Sequence, residues 1–146
     1  MGFDVYGKKP SNETGKYFRN NCWYWRPLWN YVETVCPKIA AKVEYPQSND
    51  GSGLDEEDAF QLYWELQQSI QNGTLVEYEK AYKEYIEQLP DEKCSCVGDD
   101  NIAKNECFAC KGTGMTQNFD KHYPFDSDNV REFAEFVKYS GGFEIW

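Results

Sequence analysis

Four of the six cysteines lie in one short hydrophilic stretch, and their spacing constrains the fold more than any other feature of the chain. Cys94 and Cys96 form a C-x-C pair, and Cys107 and Cys110 form a C-x-x-C pair after ten intervening residues. A structural zinc site needs four ligands in tetrahedral geometry, commonly supplied as two close pairs from two tight turns. The intervening residues are rich in turn formers, so a small hairpin can bring the pairs together. The stretch therefore predicts a structural Zn²⁺ site in a zinc-pinned hairpin, as an insertion at about residues 92–115.

Other interpretations of the cysteines remain open at this point. Disulfides would require an oxidising compartment, and a redox C-x-x-C pair would normally follow a strand–helix pattern that is not seen before the cysteines. Cys22 and Cys36 fall on an apolar helical face and are expected to be small core residues, although either could replace Cys94 as a ligand. The only histidine, His122, is expected in an exposed loop, with metal ligation as the alternative.

The second cysteine pair resembles one zinc knuckle of the DnaJ-type chaperones. Residues 107–114 read CFACKGTG, which follows the C-x-x-C-x-G-x-G pattern of that family. DnaJ-type domains contain four such repeats, whereas this chain has one complete repeat and a C-x-C pair that departs from the pattern. The resemblance implies zinc ligation by Cys107 and Cys110, and it does not imply chaperone activity.

Length and charge limit the classes of function. A chain of 146 residues is expected to form a single domain, residues 1–146. Its formal net charge of -10 disfavours direct binding of nucleic acid, which relies on lysine and arginine contacts to phosphate. Carboxylates spread along the chain predict an acidic surface that attracts basic protein surfaces, with plain solubility as the alternative. The sequence has no long apolar run and no leader pattern, so we expect a cytoplasmic protein without a membrane partner.

The periodicity of apolar residues predicts an α+β fold that is mainly helical. Strands are expected at residues 3–6, at about 42–45 and at the terminal FEIW, with the first and last strands paired. A segment at 17–25 is expected to be extended or irregular. Helices are expected at about 27–36, from a cap at Asp55 to Asn72-Gly73, from a capping Thr74 to Pro90, and from Asp126 or Ser127 to Ser140. The middle two helices are expected to form an antiparallel αα-hairpin around Gly73.

The segment YFRNNCWYWRPLW, residues 17–29, interleaves aromatic rings with arginine and asparagine side chains. Such side chains suit recognition of a flat anionic ligand such as a nucleotide, while the alternative places the rings in the core. The candidate ligand-binding residues are Arg19, Asn20, Asn21, Trp23, Trp25 and Arg26. The sequence has no glycine-rich phosphate loop and no evident nucleophile with a base, so no catalytic residue is assigned and an enzymatic role is not favoured.

Three segments together, MGFDVYG, YFRNNCWYWRPLW and SGGFEIW, resemble a group of small proteins encoded by tailed bacteriophages. The resemblance implies a setting in the bacterial host cytosol and carries no catalytic residue. In that setting we expect a non-enzymatic, acidic, zinc-containing protein that engages a host protein with a basic surface, for example a defence or nucleic-acid-processing enzyme that it antagonises. The alternative is a protein that binds or sequesters a nucleotide-like small molecule through residues 17–29.

Overall fold

The computed structural model describes residues 1–100 and 102–146, which form two compact units. The first unit contains residues 1–81 and 123–146, and the second contains residues 82–122. Over the described residues the fold is α+β, as predicted, with five helices and two small sheets. Within the described ranges, no helix has the length and apolar character needed to cross a membrane.

Strands and helices alternate irregularly along the chain, and most of them belong to the first unit. The first unit contains strands β1 (Gly2–Gly7), β2 (Tyr17–Asn21), β3 (Gly53–Leu54) and β6 (Phe143–Ile145), and helices α1 (Cys22–Val35), α2 (Pro37–Ala40), α3 (Glu56–Gln71) and α5 (Ser127–Ser140). Helix α4 (Thr74–Gln88) begins in the first unit and ends in the second. The second unit also contains strands β4 (Glu92–Lys93) and β5 (Met115–Thr116) and a 3₁₀ turn at Phe119–His122.

An antiparallel sheet in the order β2-β1-β6-β3 joins the two ends of the described chain. Val5 lies opposite both Phe18 of β2 and Ile145 of β6, which confirms the predicted pairing of the first and last strands. Next to this pair, the N–H of Asp4 donates to the carbonyl of Trp146 at 2.6 Å, and the N–H of Trp146 donates to the carbonyl of Asp4 at 2.7 Å. The two terminal strands therefore lie side by side in the middle of the sheet.

The core of the first unit is aromatic. Phe133 of α5 lies at its centre, with ring centroids of five other aromatic residues between 5.3 and 6.4 Å away, namely Phe18, Trp25, Trp29, Phe136 and Phe143. Most of these rings meet edge-to-face or tilted, the arrangement that the aromatic quadrupole favours. Helix α5 thus brings the sheet and α1 together around one ring.

Helix α1 begins five residues earlier than predicted, at Cys22. Residues 17–21 are extended, as expected, but residues 22–25 are helical. The side-chain oxygen of Asn21 accepts the N–H of Tyr24 at 3.1 Å and so caps the helix. Pro27 is the sixth helical residue, where it lacks the N–H that would donate to the carbonyl of Trp23, and the helix continues through it.

The strand predicted at 42–45 is wrong, because the backbone there turns. The N–H of Lys42 donates to the carbonyl of Ile39, and the N–H of Val43 donates to the carbonyl of Ala40, which extends the end of α2 as a tight turn. Pro37 is the first residue of that short helix, the position where a missing N–H costs least. Neither α2 nor β3 was predicted.

Helices α3, α4 and α5 are confirmed. Asp55 caps α3 and Asp126 caps α5, whereas Thr74, the expected cap of α4, is its first helical residue. Gly73, with φ of 88°, forms the predicted turn between α3 and α4. Helix α3 packs mainly against α5, and less extensively against α1 and α2. The buried face of α3 is therefore covered mainly by α5 and not by α4, although α3 and α4 follow one another as predicted.

Candidate metal centre

The four predicted ligands come together in the second unit. The Sγ atoms of Cys94, Cys96, Cys107 and Cys110 all lie within 4.8 Å of one another. Two of the Sγ–Sγ distances, Cys94 to Cys107 and Cys96 to Cys110, are 3.7 and 3.6 Å. Four sulfurs at about 2.3 Å from a central Zn²⁺ would be separated by tetrahedral edges of about 3.8 Å. The cluster therefore has the dimensions of a tetrahedral thiolate site and could hold a metal ion.

A two-stranded ladder positions the first cysteine pair. Strand β4 pairs with β5, with Glu92 opposite Thr116 and Lys93 opposite Met115. Cys94 follows β4 directly, and its N–H donates to the carbonyl of Gly114 at 2.8 Å, which adds one more bond to the ladder. Because β5 follows the second pair, the ladder brings both ends of the cysteine stretch to one place.

Tight turns position the cysteines within each pair. The N–H of Val97 donates to the carbonyl of Cys94 at 3.0 Å. In the second turn, the N–H of Lys111 donates to the carbonyl of Cys107 at 2.8 Å, and the N–H and hydroxyl of Thr113 donate to the carbonyl of Cys110 at 3.0 and 2.7 Å. These bonds fold each pair back on itself, so its two sulfurs point to the same side.

The backbone after Cys110 is left-handed at three positions. Gly112 and Gly114 have φ of 87° and 80°, the conformations that their place in the CxxCxGxG pattern suggests. Lys111 has φ of 52° and is the one non-glycine residue with positive φ among the described parts of the chain. The positive φ of Lys111 could not be predicted from the sequence, because nothing in a lysine side chain signals this conformation.

The surroundings of the sulfurs favour the thiolate form at two positions. A hydrogen bond from the backbone N–H of Cys110, and another from the thiol of Cys96, lower the pKa of Cys107. Burial raises the pKa of Cys110, but hydrogen bonds from the backbone of Gly114 and from Cys96 outweigh it and lower the pKa to about 6. For Cys96, a hydrogen bond from the backbone N–H of Lys104 lowers the pKa, whereas burial and the neighbouring thiols raise it to about 12. Backbone donors thus stabilise the charge that metal binding requires.

The sulfur cluster is also the most buried part of the second unit. Among its described residues, only Cys94 and Cys110 are buried. Phe108, which lies between the ligands of the second pair, is 97% exposed. With so little apolar burial, this unit gains little of its order from a hydrophobic core.

The alternative ligands are not part of this cluster. Cys36 is buried in the first unit, where burial raises the pKa of its thiol, and Cys22 is half-buried there. The ring of His122 contacts that of Phe119, with centroids 5.8 Å apart. In the described residues, the candidate cluster consists of the four predicted cysteines alone.

No protein-family model, curated protein or solved structure matches this chain. A functional assignment therefore depends on the geometry of the chain itself, above all on that of the sulfur cluster.

The six residues of the aromatic segment fall into different surroundings. Trp25 is fully buried, and its Nε1–H donates to the carbonyl of Pro46 at 2.8 Å. Asn21 caps α1, as described above. Asn20 exchanges two side-chain hydrogen bonds with Asn129, of 2.9 and 2.7 Å. These three candidates already have structural roles.

The other three candidates are exposed and lie at two places. Arg19 faces Asp4 on the sheet, with 3.5 Å between its Nε and the carboxylate. The ring of Trp23 contacts that of Tyr123, with centroids 5.0 Å apart, and Arg26 donates to the Tyr123 hydroxyl at 3.0 Å. Nucleotide binding by the six residues remains a prediction.

Proposed function

We propose that this chain is a non-enzymatic, zinc-containing protein that binds another protein through its acidic surface. The observation that supports the metal most directly is the pair of Sγ–Sγ distances, 3.7 and 3.6 Å, in a cluster of four thiols. Four thiolates complete the tetrahedral shell of Zn²⁺ and leave no position for a reactive water. Such a zinc ion orders the cysteine stretch, and its binding free energy contributes to folding.

Charge supports the second half of the proposal. The chain has 25 acidic and 15 basic residues, and one Zn²⁺ held by four thiolates would add a further net charge of -2. A field of this sign repels phosphate and attracts basic protein surfaces over distances near the Debye length. In the bacterial setting that the phage resemblance implies, the partner is a host protein, for example a defence or nucleic-acid-processing enzyme that the chain would antagonise.

The metal is tested by comparing the native and denatured masses of the protein purified from bacterial cytosol, with elemental analysis of the same sample. We expect one zinc ion per chain and no other retained group. A metal-free protein, or iron in place of zinc, would contradict the zinc assignment. A retained organic mass of several hundred daltons would instead support the small-molecule alternative.

The partner is tested by affinity purification from nuclease-treated bacterial lysate, with the full chain as bait. An unrelated protein of similar size and net charge serves as the control for non-specific ionic capture. We expect one stoichiometric basic partner at about 50 mM salt and its loss at about 500 mM, because salt screens exposed charges. The proposal fails if no partner is specific to the bait, or if capture is insensitive to salt.

A further inference from the structure

Two large aromatic side chains of α3 point into solvent instead of into the core. Phe60 is 58% exposed and Trp64 is 48% exposed. They lie four residues apart on one helical face, with ring centroids 6.1 Å apart in an edge-to-face contact. Exposed tryptophan and phenylalanine in contact form an apolar ridge, and tryptophan is among the commonest anchors of protein interfaces.

Carboxylates border this ridge. Helix α3 contains four acidic residues and no basic one. Lys9 pairs with Glu56 and Lys42 pairs with Asp58, at 3.4 and 2.5 Å. No ion pair engages Glu57 or Glu65 in the part of the chain that the structure describes, and Glu65 accepts a hydrogen bond of 3.0 Å from Gln61. Glu57 therefore places an uncompensated negative charge on the face of the aromatic pair, and Glu65 lies farther around the helix, where it also contacts the Cys36 thiol.

A shallow groove borders α3 on the side of Glu65, and Gln68, four residues after Trp64, is the lining residue that lies towards the aromatic pair. The volume of the groove is about 360 Å³, and Glu65 and Gln68 of α3 form one wall. Val35 of α1 and Thr74 of α4 lie on other sides of it. The surface thus offers an apolar ridge next to a groove that contains a carboxylate.

We propose that this face of α3 binds a basic amphipathic segment of a partner protein. Apolar side chains of the segment would pack on Phe60 and Trp64, and its lysine or arginine side chains would lie near Glu57 and Glu65 or over the Trp64 ring. The inference rests on the proposed function, for which it names the surface and the chemistry of the partner.

Charge selects this occupant over three others. Nucleic acid and anionic lipid both carry phosphate, which the carboxylates repel. A second copy of the chain, docked through the same face, would bring the acidic residues of two α3 helices together. A basic amphipathic segment can pack its apolar side chains on Phe60 and Trp64 and place its positive charges near the carboxylates.

The test uses the full chain and two synthetic helical peptides of equal length, one built from lysine and leucine and one from glutamate and leucine. Binding is followed by fluorescence anisotropy of the labelled peptide. We expect the Lys/Leu peptide to bind and the Glu/Leu peptide not to bind. Trp64→Ala should weaken Lys/Leu binding by about 10-fold or more, the loss typical of an interface anchor, although it changes no charge.

Tyr45→Ala is the matched control, since Tyr45 is 53% exposed and lies outside α3. It should change the affinity by less than about 2-fold, whereas Glu65→Gln should weaken binding several-fold and reduce its salt dependence. Circular dichroism should show that each variant is folded. Equal effects of Trp64→Ala and Tyr45→Ala would overturn the inference, because binding would then depend on net charge alone.

Other results separate the two proposals. Lys/Leu binding that survives Trp64→Ala overturns the α3 surface, while a salt-sensitive partner from lysate would still uphold the proposed function. Absence of peptide binding also overturns the inference, and the proposed function fails only if the lysate experiment fails as well. A dimer in sedimentation analysis that Trp64→Ala dissociates, without peptide binding, would identify a second copy as the occupant and overturn the proposal.

Discussion

The two units of this chain differ in what they bury. The first unit buries a continuous set of large aromatic side chains around Phe133. In the second unit, the buried side chains among the described residues are two cysteines of the sulfur cluster. Under the proposed function, a metal site takes the place of a core where the sequence is too polar to fold by burial. All five tryptophans lie in the first unit, so their fluorescence reports on that unit alone.

The largest expected effect comes from removing one ligand. Cys110→Ser should abolish zinc binding, because three thiolates cannot reproduce a site whose binding free energy is about 10–16 kcal/mol in zinc-finger peptides. Hydrogen exchange should then show loss of protection at residues 94–114, while tryptophan fluorescence still reports a folded first unit. Cys22→Ser is the control and should keep its zinc. Stoichiometric zinc in Cys110→Ser would refute the assignment of that ligand.

A substitution in the aromatic core should destabilise the first unit, in contrast to the loss of a cysteine, which affects the second. Phe133→Ala should lower the free energy of unfolding of the first unit by about 3–5 kcal/mol, through lost burial and the cavity left behind. Denaturant titration followed by tryptophan fluorescence measures this change. Phe108→Ala, at a position 97% exposed, should change it by less than about 0.5 kcal/mol. A comparable loss in both variants would mean that the two units do not differ in the way described.

The smallest effect concerns alkaline pH. Burial raises the pKa of Tyr31 and of Cys36, so both remain protonated in the folded state when they ionise in the unfolded chain. The folded state then binds more protons, and stability should fall as pH rises above about 8.5 for the thiol and about 10 for the phenol. Tyr31→Phe should remove the part of this pH dependence of the free energy of unfolding that comes from the phenol. At neutral pH it should cost about 1 kcal/mol, since Tyr31 donates to Ser69 at 2.7 Å.

These measurements are denaturant titrations of both proteins at several pH values, again followed by tryptophan fluorescence. The pH dependence of Tyr31→Phe should be shallower above about pH 10 than that of the unmodified chain. Parallel curves for the two proteins would show that Tyr31 does not contribute to the alkaline loss.

Features with local signals could be predicted from the sequence. The caps at Asp55 and Asp126 and the turn at Gly73 each depend on a few neighbouring residues, so α3 and α5 were placed well. The clustering of the four cysteines could be predicted because metal coordination restricts both residue type and spacing. The pairing of β1 with β6 was inferred from two apolar termini that each needed a partner.

Features that depend on tertiary context could not be predicted. Pro27 suggested a helix start, but the capping side chain is that of Asn21, and nothing local decides between them. Apolar residues at 42–45 suggested a strand, whereas Val43 is buried at the end of a turn. The preference of α3 for α5 depends on contacts between residues far apart in the sequence. The exposed ridge of Phe60 and Trp64 had a signal, since both lie away from the helix face that carries Ala59, Leu62 and Leu66, but only the structure gives their exposure.

Because Val5 pairs with Ile145, the four-stranded sheet can be completed only after the last strand has been synthesised on the ribosome. Strands β1 and β2 emerge early and can form a hairpin, but one edge of β1 has no neighbour until β6 has been made. The second unit, with the β4–β5 ladder that positions the cysteines, ends at His122, so under the proposed function it can bind its metal before β6 has been made. In a nascent chain the second unit would therefore form while one edge of β1 is still unpaired. Such an edge is prone to aggregation and is the kind of surface that chaperones protect.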